Sequence, residues 1–190
     1  LGVHYQKLTD LCGLAVLQKQ AISNTFTASC QVLLLACHRR TVKALLQKNS
    51  IEFTDQITLL NFRTLSLEQL KKEIANFFSD TTTRDRPNQE HLTHDKEWPS
   101  WYPIIDEERC SNCGQCAEFC LFGVYSRDKG RVKVVNPQKC KNNCPACARI
   151  CPQIAIIFPK YKEGGAISGS ADIDETAEQK RQSTDVNKIL

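Results

Sequence analysis

Methionine is absent from all 190 residues, and so is any apolar run long enough to cross a membrane. The densest stretch, "VLLLAC", is strand-sized, against the roughly 20 residues that a spanning helix requires. The start, "LGVHYQKLTD", has no charged-then-apolar leader, so nothing in it suggests secretion. A chain that begins at Leu1 without a single methionine is expected to lack its original N-terminus or some of its residues. Charge is nearly balanced as well, at net +4 with 25 basic and 21 acidic side chains. What is present is 41% hydrophobic and 24% charged, with a mean hydropathy of −0.38. That composition suits a water-soluble, cytoplasmic chain of one domain or two small ones.

Cysteine is the residue in excess. Eight of the eleven fall within the 42 residues from Cys110 to Cys151, in "CSNCGQCAEFC" (Cys110–Cys120) and "CKNNCPACARICP" (Cys140–Pro152). Disulfide scaffolds tend to be short secreted chains with their cysteines spread out, and these spacings are too tight for many ordinary bridges. Metal binding is the better reading.

The cysteine region is an internal repeat. "PIIDEERC" (Pro103–Cys110) aligns with "KVVNPQKC" (Lys133–Cys140) at an offset of 30, and Cys113, Cys116 and Cys120 align with Cys144, Cys147 and Cys151 at 31. An apolar, strand-like segment follows each fourth cysteine ("LFGVYS" and "PQIAIIF"), and "RDKGR" (Arg127–Arg131) reads as a turn between two short strands. Each half is expected to run strand, cysteine loop, short helix, strand. Two halves make a small pseudo-symmetric α+β domain.

Cys110-x2-Cys113-x2-Cys116-x3-Cys120 is the specific signal. A cubane iron–sulfur cluster needs four thiolates at the corners of a tetrahedron, and a tight loop with a cysteine at every third residue can reach three of them. The whole repeat, from Pro103 to Lys162 and including Pro152 after Cys151, resembles the bacterial two-cluster ferredoxins, in which the fourth cysteine of each run serves the other cluster. That resemblance implies two [4Fe-4S] clusters, with Cys110, Cys113, Cys116 and Cys151 on one and Cys140, Cys144, Cys147 and Cys120 on the other. It also implies an electron carrier with a redox protein as its partner. Leu121 stands where the family commonly has proline, and the second half has three residues, Lys141-Asn142-Asn143, between its first two cysteines instead of two.

Two other chemistries use similar patterns. Radical S-adenosylmethionine enzymes use C-x3-C-x2-C, but Ala146 stands where they place an aromatic residue, Cys120 offers a fourth ligand, and only 39 residues follow Cys151. Structural zinc draws two thiols from each of two knuckles, not four from eleven residues twice over. The apolar positions Ile105, Phe119, Val124, Val135, Ile150, Ile154 and Ile156 are expected to form a shell around the clusters. Oxidised clusters with their thiolates carry roughly −2 each, which cancels the +4 of Pro103–Glu163 and removes most of the case for nucleic acid.

Upstream, residues 1–80 are expected to form a small α/β domain with a largely parallel sheet, through strands at Gln31–Cys37 and Ile57–Phe62 and helices at Arg39–Asn49 and Ser66–Phe78. Ser66 with Glu68 and Gln69 offers a helix cap, and Leu67, Leu70, Ile74 and Phe77 share a stripe. "LTDLCGLAVLQKQ" reads as a strand end, a Cys-Gly turn and a short helix. Residues 81–102 read as a connecting loop anchored by Trp98, Trp101 and Tyr102, residues 103–163 as the ferredoxin domain, and residues 164–190 as a mobile or draped tail with a helix from Asp174.

Cys12, Cys30 and Cys37 remain. A helix N-terminus and Arg39 and Arg40 would make Cys37 the more acidic thiol. "DLCG" (Asp10–Gly13) and "LACHRR" (Leu35–Arg40) resemble cysteine motifs of the flavin subunit of heterodisulfide reductases, although His38-Arg39 replaces the commoner Ser-Pro and flavin-binding glycines are missing. That resemblance implies a redox subunit with Cys12 and Cys37 active. Ordinary buried thiols are the plain alternative.

Overall fold

The computed structural model describes residues 5–26, 31–79, 89–93 and 97–187, and Cys30 lies outside them. Its chain divides into two units, Leu1–Cys37 with Leu45–Glu97, and His38–Ala44 with Trp98–Leu190. Among the described residues no helix is long and apolar enough to cross a membrane.

The first unit follows the expected alternation: β1 (Tyr5–Leu8), α1 (Leu11–Leu17), α2 (Lys19–Phe26), β2 (Val32–Ala36), the end of α3 (Arg39–Lys48), β3 (Ile57–Asn61), α4 (Leu67–Ser79) and β4 (Gln89–Leu92). Its strands are parallel, but they form two separate two-stranded sheets, β1 with β4 and β2 with β3. The sequences explain the split. Inner strands of a parallel sheet are apolar on both faces, whereas "YQKL" and "QEHL" carry too few apolar side chains for that. β2 was expected to be a buried strand, yet only Ala36 is buried and Leu35 is exposed; among the described residues β3 is the one strand paired with it.

Three further expectations need correction. β4 lies inside the segment read as a connecting loop; it lacks alternation and is held by main-chain pairing to β1, with Thr9 N donating to Leu92 O at 3.2 Å. The Cys-Gly pair is in the first turn of α1, where the Asp10 side chain accepts from Cys12 N at 3.1 Å as an N-cap. On α4, Leu67 is exposed and the rest of the stripe only half-buried. The cap of α4 is present: Gln69 N donates to Ser66 Oγ at 3.2 Å and Gln69 Oε1 accepts from Ser66 N at 2.8 Å, a reciprocal capping box.

The second unit holds the repeat. Its elements are β5 (Ile104–Ile105), α5 (Gln115–Phe119), β6 (Tyr125–Asp128), β7 (Arg131–Val134), α6 (Ala146–Ile150), β8 (Ile156–Ile157) and α7 (Glu175–Asn187). Strand pairing exchanges the halves: β5 runs antiparallel to β8 and β6 antiparallel to β7. Lys129 and Gly130, with φ of 48° and 78°, make the tight β6–β7 turn in the left-handed pair that suits strand twist. Trp101 stacks on Phe158 at 5.1 Å, Trp98 on Tyr102 at 5.5 Å, and Tyr102, Phe158, Ile104 and Ile157 are fully buried.

The beginning of α3 and residues 166–168 both pack into this unit. Ala166, Ile167 and Ser168 are buried, and Thr41 Oγ1 donates to Ser168 O at 3.1 Å. Gly169 has φ +95°, and a Cβ there would stand 1.7 Å from Thr41 Oγ1. Left-handed backbone and overpacking together should make Gly169→Ala cost about 3 kcal/mol. The measurement is an anaerobic thermal melt, in which the midpoint should fall by roughly 10 °C; an unchanged midpoint would mean that residues 166–169 do not pack on Thr41.

Candidate metal centre

Each cysteine loop turns back on itself before its second cysteine, and both do so at asparagine. Asn112, before Cys113, has φ 56°, and Asn143, before Cys144, has φ 58°. Asparagine tolerates this left-handed conformation better than other side chains. The extra residue of the second loop is absorbed ahead of Asn143 in a turn closed by Cys144 N donating to Lys141 O at 3.2 Å. In the first loop Asn112 also ties the loop to β7, its Oδ1 accepting from Val132 N at 3.0 Å.

Cys110, Cys113 and Cys116 line one cavity, and so does Cys151, from the far end of the other half. Ile105, Val132, Pro152, Ala155 and Ile156 complete its walls. Among the described residues no three His, Cys, Asp or Glu side chains close on a single ion.

Electrostatics group the thiols into two neighbourhoods that meet where Cys116 approaches Cys147. Burial pushes Cys116 up to about 11, and Cys151, Cys110 and Cys113 add to the rise. Burial likewise raises Cys110, whose neighbours include Cys151 and Cys113. Burial pushes Cys140 up to about 12, with Cys144 and Cys120 next to it. Cys147 rises to about 12, through burial first, against a hydrogen bond from Tyr125 and with Cys140, Cys116 and Cys120 adding to it. Thiols grouped and buried like this resist ionising together unless positive charge joins them. Bound iron would supply that charge.

Several donors face the sulfurs, among them the main chain of Asn112 at Cys110 and of Ala117 at Cys116. Ala155 N donates to Cys151 Sγ at 3.3 Å, and Tyr125 Oη donates to Cys147 Sγ at 3.1 Å. Burial foremost, then the charge of Cys147, hold the Tyr125 hydroxyl well above its ordinary range, so it stays a donor. Hydrogen bonds to the sulfurs and the degree of solvent exposure set cluster potentials. Nothing in the sequence pattern marks Tyr125, since its partner is 22 residues away. Of the expected shell, Ile105, Val124, Ile154 and Ile156 are buried and Ile150 is half-buried, but Phe119 and Val135 are exposed.

Cys12 is buried in α1 and Cys37 is half-buried after β2. Among the described residues the strands that precede them pair in different sheets, β1 with β4 and β2 with β3, and do not share a hydrogen-bonded edge.

Residues 103–123 match the 4Fe-4S binding domain family. An uncharacterized ferredoxin of Methanocaldococcus jannaschii is 50% identical over 64 residues, 33% of this chain and 44% of that protein. The chain thus spans less than half the length of that relative. A second uncharacterized ferredoxin of the same organism is 34% identical over 32% of this chain and 86% of its own length. The pyruvate synthase subunit PorD of Thermotoga maritima is 31% identical over 38% of this chain and 72% of its own length. Through about a third of its length, the chain belongs to the ferredoxins. Its second unit carries a 4Fe-4S electron-transfer domain.

The tie between Asn112 and β7 gives a local test. Asn112→Ala loses a hydrogen bond and puts an unsuited residue at positive φ, together about 1–2 kcal/mol. Asn112→Asp keeps both features and should melt close to the parent protein, with Asn112→Ala several degrees lower. Equal melting of the two variants would show that the loop does not depend on this side chain.

Proposed function

We propose that this protein relays single electrons through two [4Fe-4S] clusters to or from a redox protein partner, Cys110, Cys113, Cys116 and Cys151 binding one cluster and Cys140, Cys144, Cys147 and Cys120 the other. The observation that carries the reading is the cavity lined by Cys110, Cys113, Cys116 and Cys151 together, three from one loop and one from the opposite half. The second set is supported by Cys140 standing beside Cys144 and Cys120, and by Cys147 standing beside Cys140 and Cys120, although Cys116 of the first set is also near Cys147. A bound cubane supplies one-electron chemistry. The protein's part is to supply all four thiols to each cluster, leaving no iron open to substrate, and to tune each site through apolar walls and donors to sulfur.

A partner is supported on two grounds. Leu121 is 92% exposed beside Cys120, with Phe119 and Phe122 also open to solvent. The relatives named as subunits of pyruvate synthase support it too, each being by its name one part of a larger enzyme. Reduced thiols and clusters suit the cytoplasm.

Iron and sulfide analysis of anaerobically purified protein should find about eight of each per chain, since eight thiolates fill two complete ligand sets. Roughly two zinc ions and no sulfide would end the reading.

Ligand exchange between the halves has its own signature. Cys120→Ala should damage the cluster held by Cys140, Cys144 and Cys147, and Cys151→Ala the one held by the first loop. Electron paramagnetic resonance of the reduced variants separates the two signals; Cys120→Ala disturbing only the first-loop cluster would sink the exchanged assignment.

A further inference from the structure

The two halves of the repeat share a main-chain tie, but they complete it differently. In one, Asn136 N donates to Val124 O at 3.1 Å and Asn136 Nδ2 donates to Gly123 O at 2.9 Å. Asp106 and Ile154 are the matching residues of the other, at the repeat offsets of 30 and 31. There Asp106 N donates to Ala155 O at 2.8 Å, the same bond. A carboxylate, however, has no N–H to give Ile154 O. Arg40, from outside the repeat, fills the gap. Its Nε donates to Asp106 Oδ2 at 2.6 Å, its Nη2 donates to Ile154 O, and its Nη1 donates to Ala166 O at 2.9 Å. An aspartate and an arginine together do what one asparagine does in the other half.

This junction is buried, with Arg40 9% and Asp106 11% exposed. Ile154 has φ 53°, where its mate Gly123 has 64°. A β-branched residue there is strained and persists only when its surroundings hold it. The guanidinium joins two segments that serve one cavity. Asp106 O accepts from Arg109 N at 3.2 Å and from Cys110 N at 3.0 Å, starting the first cysteine loop. Ile154 N donates to Cys151 O at 3.1 Å, at the exit from the fourth cysteine of that cavity. Among the described residues, the bonds of Arg40 go to Asp106, Ile154 and Ala166, not to the segments around Cys120, Cys140, Cys144 or Cys147.

We infer that Arg40 is a positioning residue for the cluster of Cys110, Cys113, Cys116 and Cys151, replacing from outside the repeat the tie that Asn136 makes within it. The inference rests on the two-cluster reading and deepens it. Lys43, on the same helix, pairs with Glu108 at 2.6 Å in a far more exposed setting and does not share this role.

The test uses the full chain, purified anaerobically, with redox titration followed by electron paramagnetic resonance and with iron release to a chelator. The cluster concerned is the one whose signal disappears in Cys151→Ala. In Arg40→Gln its reduced-to-oxidised ratio at the parent midpoint should drop about tenfold, which is about 59 mV for one electron. It should also lose iron several-fold faster, while the other cluster and the Lys43→Gln protein stay unchanged. Arg40→Gln/Asp106→Asn should recover slow iron release, because the new amide can reach Ile154 O as Asn136 reaches Gly123 O. Arg40→Gln/Asp106→Ala, equal in charge but without the amide, should not. Equal shifts in both clusters, no shift in Arg40→Gln, or identical behaviour of the two double variants would each overturn the inference. Should Arg40→Gln fail to fold, the two double variants carry the comparison, and failure of Arg40→Gln/Asp106→Asn to fold would overturn it too. A parent protein with fewer than two clusters fails the functional reading instead, and the iron count shows this first.

Discussion

A loop with a cysteine at every third residue can turn three sulfurs toward one hollow, and no fourth. The rest of the second unit is arranged around that limit. Cys151 reaches the hollow of Cys110, Cys113 and Cys116 because α6 ends at Cys151 and the chain then runs into β8, the partner of β5. The same exchange sets β6 against β7 and brings Tyr125, from the first half, to the sulfur of Cys147 in the second. Strand pairing and sulfur placement are therefore one arrangement. Neither half has a complete set of walls or donors by itself.

Much of this unit could be read from the sequence because it is periodic. Four cysteines and an apolar segment recur from one half to the other at nearly fixed offsets, a Lys-Gly turn joins the halves, and local spacing fixes loops and short helices. The longer second loop was visible as an extra residue, though not its accommodation ahead of Asn143, which depends on backbone conformation. Phe119 and Val135 looked like shell residues because they are apolar, but apolar type does not decide which side of a two-residue-period strand or a five-residue helix faces inward. Tyr125, Asn112 and Arg40 could not be found by pattern at all. Their partners lie 20 to 126 residues away, and only the folded chain brings them together.

The first unit was legible in its elements and less so in its assembly. Apolar runs and a capping box located β2, β3, α3 and α4 within a residue or two. Strand direction followed from the helices between them. The number of sheets did not, since it depends on whether the outer edge of a strand finds a partner, and "QEHL" has no alternation to announce itself. Among the described residues, the strands before Cys12 and Cys37 therefore lack the shared hydrogen-bonded edge on which a pairing of the two depended.

The exchange of strands also has a consequence for how the protein is made. Ile104 pairs with Ile157 and Ile105 with Ile156, so β5 leaves the ribosome some fifty residues before its partner exists. Over that interval β6 and β7, adjacent in the chain, can already close as a hairpin. During synthesis the first cysteine loop is thus translated, exposed and without its sheet, well before the segment that seats it. A growing chain in that state presents several free thiols at once, and its safe passage depends on how quickly the last strand follows.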